Sequence, residues 1–474
     1  MLRARIRSFF QGPLYLAVIL ILLLLGNTFA IELFTGGAII LLVAVGCFVE
    51  EDLRFAVFPL LGLIFSVPIA HSPNVPDYSD YYVRPPVLLA LILLFLLLLG
   101  SLILFVLRNR KRRPREPLSP TALGILVFCL AITPNGLFNS SYTPANILYA
   151  LTFSLSALLI YVLFSRFIVW ESNAREYVML CFLLCGLLIS LELLIAYGRT
   201  VEYDAQGRVI KESVLLGWGV WTAIGGMLLF LMPSCFYFAA CKKKHGWLGY
   251  AAGMLLYVCI LLSRSRGALL VGTLTLLLSL AACLAYGKRR KRVLCLCLLL
   301  LLLALPLLWY KRETLVSFIR SVFENGLSDN GRFALWRIGL QKAIRYPLLG
   351  SGFYDSFVNP EWPKSVYPYF YHNTPIQLLG ATGLLGFVGY AVHRLQTIHL
   401  ILSRRTPTAI FLGIGILGLL LFSLLDVLFF NTYPMLFYAL MLLCVMTSCK
   451  RRPLTTADYT VIVNIEIEKE IVNY

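Results

Sequence analysis

The sequence predicts an all-α polytopic membrane protein with about 12 to 14 transmembrane helices and a helical loop that caps one end of the bundle. Of its 474 residues, 59% are hydrophobic and only 14% are charged, against roughly 25% charged residues in soluble domains. Apolar stretches of about 20 residues recur from end to end, and each can cross a hydrocarbon core of ~30 Å as a helix. A soluble fold is therefore excluded.

Fourteen apolar segments are predicted to span the bilayer, and short turns separate most of them. They are residues 14–34, 35–49, 55–70, 87–107, 121–137, 147–169, 177–197, 219–240, 247–263, 267–286, 293–310, 376–400, 408–429 and 432–449.

The basic residues predict the orientation of these spans, because short loops rich in lysine and arginine stay on the cytoplasmic side. With the N-terminus inside, 27 of the 41 basic residues lie in inner segments and six lie in short outer loops. Both termini are therefore predicted to be cytoplasmic. The net charge of +18 does not indicate a nucleic-acid partner, since the basic residues form short clusters between spans and not one solvated patch.

One predicted outer connection, residues 311–375, is far longer than the few residues usual between packed helices. It is rich in aromatic and aliphatic residues, which favours a folded cap over disorder. The chain thus divides into eleven spans in residues 1–310, an extracytoplasmic loop domain at 311–375, three spans in 376–449 and a cytoplasmic tail at 450–474.

Two arginines lie where the ninth span meets the tenth, with hardly a loop between them. The sequence there is Ser263-Arg264-Ser265-Arg266-Gly267. Arginines at helix ends often extend toward lipid phosphates. The outer side disfavours arginine, however, and the small neighbouring residues leave room for an anionic ligand, so an anion site is the favoured interpretation.

The long loop contains a predicted helix from about residue 332 to 346. A step of 100° per residue places Arg332, Trp336 and Gly339 on one face, and Arg337 on the opposite face. Arg332 therefore points toward the rest of the protein, where a buried arginine needs an anion.

Two partners for Arg332 are equally compatible with the spacing. One is a structural carboxylate, Asp329, Asp355 or Glu361. The other is a diphosphate that Arg332 shares with Arg266, since two guanidinium groups can bracket it through several charge-assisted hydrogen bonds.

His372 and Asn373 close the long loop where the chain re-enters the membrane. A single histidine at a membrane surface is more often structural than catalytic. A catalytic role is favoured for His372 because this residue ends the loop that carries Arg332 and lies on the same side of the membrane as Arg266. Histidine is also suited to take a proton from a hydroxyl near neutral pH.

No phosphate-binding loop, HExxH zinc motif or outer-face DxD pair is present in the sequence. ATP hydrolysis and metal-dependent use of a nucleotide sugar are therefore not expected, and no cofactor is predicted.

In their order and spacing, these residues resemble the superfamily of O-antigen ligases and Wzy-type polysaccharide polymerases, which are bacterial envelope glycosyltransferases. Three motifs carry the resemblance. They are Ser265-Arg266-Gly267; Gly331-Arg332 with Trp336, followed by Pro347-Leu348-Leu349-Gly350-Ser351-Gly352; and His372-Asn373, leading to Gly383-Leu384-Leu385-Gly386.

The resemblance implies an enzyme of the bacterial cytoplasmic membrane that works on the extracytoplasmic face without ATP or metal. Its donor would be a glycan on undecaprenyl or another polyprenyl diphosphate, and its acceptor a glycan or a lipid-linked sugar. Arg266 and Arg332 would bind the diphosphate and His372 would activate the acceptor hydroxyl. We expect Arg264, Trp336 and Asn373 to contribute to substrate binding.

A transporter or flippase for a lipid-linked or anionic substrate is the alternative. Such a protein should carry charged groups near the bilayer midplane. The candidates are Glu192, near the outer end of the seventh span, and Asp426 in the thirteenth. The aromatic-rich loop with its arginine and histidine favours the enzyme, and a scaffold without chemistry is a third possibility.

Overall fold

The computed structural model of the chain describes residues 2–69, 82, 84–112, 118–140, 142–242, 244–287, 290, 316, 331–354 and 370–448. The predicted eleventh span, the tail at 450–474 and much of the predicted loop domain lie outside these residues.

The described chain is almost entirely helical. Its α-helices are α1 (Leu2–Gln11), α2 (Pro13–Phe29), α3 (Glu32–Val49), α4 (Val57–Leu63), α5 (Pro85–Asn109), α6 (Pro120–Ile132), α7 (Ala145–Phe167), α8 (Ser172–Arg199), α9 (Trp221–Cys241), α10 (Gly246–Leu262), α11 (Arg266–Tyr286), α12 (Arg332–Arg345), α13 (Thr374–Ser403), α14 (Pro407–Phe422) and α15 (Thr432–Met446). Two short strands, β1 (Leu215–Leu216) and β2 (Gly219–Val220), form an antiparallel hairpin just before α9.

Seven of these helices are long and apolar enough to cross a membrane, namely α3, α5, α7, α8, α9, α11 and α13. Shorter apolar helices occupy six further predicted spans. The predicted fold class, an all-α polytopic membrane protein, is confirmed. The predicted helix in the long loop is also present, as α12.

Helix α9 forms the centre of the bundle. Every residue from Ala223 to Tyr237 is buried, and the helix packs against α8, α10, α11 and α14. Helix α5 is the opposite case, because it packs mainly on α3 and exposes most of its apolar side chains. Such a surface suits contact with lipid.

Helix α13 is broken at Gly383, whose φ of 65° and ψ of −163° are not helical. The segment 347–352, which follows α12, lies in this break. The Leu384 amide donates to the Pro347 carbonyl at 2.7 Å, and the Ser351 amide donates to the Gly380 carbonyl at 2.8 Å. The glycine-rich motifs of the sequence thus bind each other through their backbones.

The same segment is tied to the connection between α6 and α7. The Gly136 amide donates to the Leu349 carbonyl at 2.9 Å, and the Asn139 side chain donates to the Ser351 carbonyl at 2.8 Å. The Tyr354 amide donates to the Asn146 side chain at 2.7 Å. These bonds anchor α12 and its arginine to the bundle.

Replacing Gly383 by alanine is expected to destabilise the protein by about 2–4 kcal/mol, because the positive φ disfavours a side chain and a Cβ would lie 2.5 Å from the carbonyl atoms of Leu348. Thermal unfolding in detergent measures the effect. G100A is the matched control, since a Cβ at Gly100 in α5 meets no atom within 4 Å. Equal melting temperatures for the two variants would contradict the proposed importance of this break.

Candidate active site

Residues 371–374 are fixed to the connection between α14 and α15. The Thr374 amide donates to the Ser423 carbonyl at 2.8 Å. Asn373 is the N-cap of α13, since its side-chain oxygen accepts from the Ile376 amide at 3.1 Å. Its side-chain nitrogen, Nδ2, donates to the Leu424 carbonyl at 2.9 Å. The side chain of Asn373, a predicted substrate-binding residue, is thus engaged in positioning the start of α13.

His372 faces Asp426 across this junction. Its Nδ1 lies 3.2 Å from the Asp426 Oδ1, and its side chain is 42% exposed. Asp426 is buried, and its Oδ1 also accepts from the Val427 amide at 2.7 Å. With Nδ1 donating to the carboxylate, Nε2 is the nitrogen that can accept a proton.

The charge of Asp426 is stabilised by its surroundings. Burial raises the pKa of this carboxyl, but the hydrogen bond from His372, the Val427 amide and the charge of Arg332 together outweigh burial and lower the pKa. Asp426 is therefore an anion at neutral pH. The sequence placed it within a span at 408–429; α14 instead ends at Phe422, and Asp426 lies beyond the helix end.

Arg264 and Arg266 lie in the tight turn from α10 to α11. Arg264 adopts a left-handed φ of 59° and is buried. Arg266 is the first residue of α11, and the preceding Ser265 caps that helix. A cation does not stabilise a helix N-terminus, where the dipole favours anions. An arginine beside a helix N-terminus suits an anionic ligand.

The start of α11 adjoins the connection that carries Asp426. Gly267 faces Leu425, and a Cβ on Gly267 would lie 3.3 Å from the Leu425 Cδ1. Arg266 and the His372–Asp426 pair therefore lie at the same end of the bundle, called here the site end.

Arg332 begins α12, directly after Gly331 with its φ of 76°. Its side chain makes no hydrogen bond to another described residue, and its charge acts on Asp426. The carboxylates Asp329, Asp355 and Glu361, the structural alternative for this arginine, lie outside the described residues.

Trp336 lies on the same face of α12, one turn further on. Its Nε1 is buried and has no hydrogen-bond partner in the described part of the chain. This N–H group is therefore available to donate a hydrogen bond to a ligand. Arg337, predicted on the opposite face, is exposed.

Lys211 is a fourth cation at the site end, and the sequence motifs gave no sign of it. Its Nζ lies 5.0 Å above the ring of Trp221, which begins α9. Burial lowers its pKa, and the charges of Arg266, Arg332 and Arg264 lower it further. Only non-local packing brings this residue from the loop after α8 to the three arginines.

Glu192 has a different environment from that expected of a transport site. It is buried in α8, where it accepts a hydrogen bond from Asn27 at 2.5 Å and another from Trp218 at 3.3 Å. Both carboxyl oxygens are thus engaged in helix and hairpin packing.

The fold and this site define a class: a polytopic membrane protein with cations, a histidine and a carboxylate gathered at one end of its bundle. Residues 250–391 match the family model described as O-antigen ligase. This segment contains all the site residues predicted from the sequence, and the match supports the resemblance to O-antigen ligases and Wzy-type polymerases over this part of the chain. No curated protein matches the sequence.

An O-antigen ligase domain indicates a glycosyltransferase-type enzyme of the ligase or polymerase kind. It is also typical of multi-pass proteins of the bacterial inner membrane that act on lipid-linked glycans.

Proposed function

We propose that this protein transfers a glycan from a polyprenyl-diphosphate donor to a sugar hydroxyl on the extracytoplasmic face of the membrane. The observation that carries the proposal is the His372–Asp426 pair, beside a group of cations that includes Arg266 and Arg332. A diphosphate leaving group needs cations, and a hydroxyl nucleophile needs a base.

In the proposed reaction the acceptor hydroxyl gives its proton to the Nε2 of His372. Its oxygen forms a bond to the anomeric carbon of the donor, while the bond from that carbon to the lipid diphosphate breaks. The electron pair of the broken bond leaves with the diphosphate. A single displacement of this kind inverts the anomeric centre.

Arg266 and Arg332 stabilise the charge that grows on the leaving group, which lowers the transition state more than the ground state. Arg264 and Lys211 raise the local positive potential further and favour binding of a dianionic diphosphate. The Nε1 of Trp336, which has no partner among the described residues, supplies one more donor for a phosphate or sugar oxygen.

Asp426 keeps the His372 ring in the tautomer that leaves Nε2 free. It also stabilises the positive charge that His372 acquires on taking the proton. None of these steps uses ATP or a metal ion. The site end faces the periplasm or cell exterior in this proposal, and both chain termini are cytoplasmic.

The transporter alternative has less support. Glu192 is occupied by Asn27 and Trp218, and Asp426 is paired with His372 at the helix end. Neither carboxyl lies unpaired at the middle of a span, where a transport site is expected.

The test uses the purified protein in nanodiscs with a polyprenyl-diphosphate oligosaccharide and a glycan acceptor. We expect acceptor elongation with equimolar release of polyprenyl diphosphate, undiminished by EDTA and without ATP. Movement of intact donor across proteoliposome membranes, without cleavage, would instead establish the transporter.

Deletion in cells should make the donor accumulate on the outer leaflet. Accumulated single repeat units would identify a polymerase, and accumulated long chains would identify a ligase.

A further inference from the structure

A charged residue lies deep in the bundle, away from the candidate active site. Arg394 is in the second part of α13, about 16 Å along the helix from the break at Gly383. It is only 7% exposed. None of its three guanidinium nitrogens has a hydrogen-bond partner among the described residues.

Three aromatic rings surround the guanidinium group. Its Cζ lies 4.0 Å from the ring centre of Phe429, 4.6 Å from that of Tyr390 and 4.7 Å from that of Tyr438. Such contacts offset part of the cost of removing the charge from water.

Arginine is an unfavourable choice for this position if packing is its only role. A buried cation without a paired anion destabilises a fold, and an apolar side chain of similar size would not. Charged residues inside membrane bundles are rare and generally serve function. The contacts of Arg394 with its neighbours indicate its role.

Arg394 links α13 to the turn that follows Asp426. Phe429 belongs to the 3-10 helix Leu428–Phe430, which begins two residues after Asp426. Tyr438 accepts or donates a hydrogen bond with the adjacent His393 at 3.0 Å, which joins α13 to α15 at the same level. Helix α13 begins two residues after His372. Arg394 thus joins α13, which begins just after His372, to the turn that follows Asp426.

We propose that Arg394 is a positioning residue, which by stacking on Phe429 fixes the turn at 426–430 against α13 and so holds the Asp426 carboxylate at His372. The inference rests on the proposed function for the role of His372. The geometry of the His372–Asp426 pair would then depend on Arg394, although Arg394 contacts neither the substrate nor His372.

The test is R394M in the full-length protein, measured with the nanodisc transfer assay and by thermal unfolding. We expect kcat to fall roughly 10- to 100-fold, the usual effect of small displacements of catalytic groups. KM for the donor should stay unchanged, and the melting temperature should equal or exceed that of the wild type. R394K, which keeps the charge but loses the planar stacking, should lie between the two in kcat.

L395M is the matched control, because Leu395 is the next residue of α13 and is 68% exposed; it should behave as the wild type. If R394M yields no folded protein, F429L removes the same stacking contact and should lower kcat in the same way.

Wild-type kcat in R394M or F429L would overturn the inference. So would a fall in kcat that tracks an equal loss of melting temperature, because that pattern indicates a structural role. Absence of transfer in the wild type would refute the proposed function itself, and is thereby distinguished from failure of the inference.

Discussion

The H372N variant is expected to lose about 10²- to 10⁴-fold in glycan transfer while it remains folded and inserted in the membrane. This is the usual contribution of a positioned general base. Asparagine is the informative replacement because His372 has a left-handed φ of 52°, which asparagine tolerates. Its side-chain amide can still donate to Asp426, but it cannot take a proton. Initial rates of acceptor elongation measure the loss.

D426N is the companion variant. It keeps the size of the side chain but removes the charge that orients His372, and we expect a smaller loss of about 10- to 100-fold. Full glycan transfer by H372N would refute the role of His372 as the general base. A greater loss in D426N than in H372N would contradict the assignment of His372 as the base and Asp426 as the residue that orients it.

The lowered pKa of Asp426 determines how the charge of this carboxyl depends on pH. A carboxyl with a lower pKa in the folded protein stabilises it at a pH above the unfolded pKa, and this contribution disappears as the pH falls through the folded value. Near neutral pH Asp426 therefore remains charged, and its titration should not limit activity there.

Hydropathy predicted the fold well because the bilayer leaves few choices for a long apolar segment. Thirteen of the fourteen predicted spans have a helix at their position, and the remaining one, residues 293–310, lies outside the described chain. The ends of the spans were predicted less accurately. For example, the predicted span that corresponds to α14 extended to residue 429. The helix stops at Phe422, and Asp426 lies beyond its end, where it pairs with His372.

The site was only partly predictable, for a related reason. Arg266, Arg332 and His372 could be chosen because each stands beside a turn, a helix start or a membrane boundary. The pairing of His372 with Asp426 joins residues 54 positions apart, and Lys211 is at least as distant in sequence from Arg266 and Arg332. Contacts of this kind depend on how the helices pack, which the sequence motifs do not show.

Substitution of the site arginines is expected to have the second large effect on glycan transfer. R332M is expected to lower kcat/KM for the donor by about 10²- to 10³-fold, the effect of removing one group that stabilises developing negative charge. R337M is the matched control, because Arg337 lies on the same helix but is exposed on its other face. Similar losses in the two variants would mean that α12 only needs general positive charge.

R266M should resemble R332M, and the double variant tests whether both groups act on one ligand. Independent sites would give a loss equal to the product of the single losses. Two guanidinium groups that share one diphosphate give a smaller loss, because the first substitution already removes part of the stabilisation that the second depends on. R332K sharpens the same point, since lysine supplies the charge but cannot form two parallel hydrogen bonds to one phosphate. We expect it to recover only part of the rate.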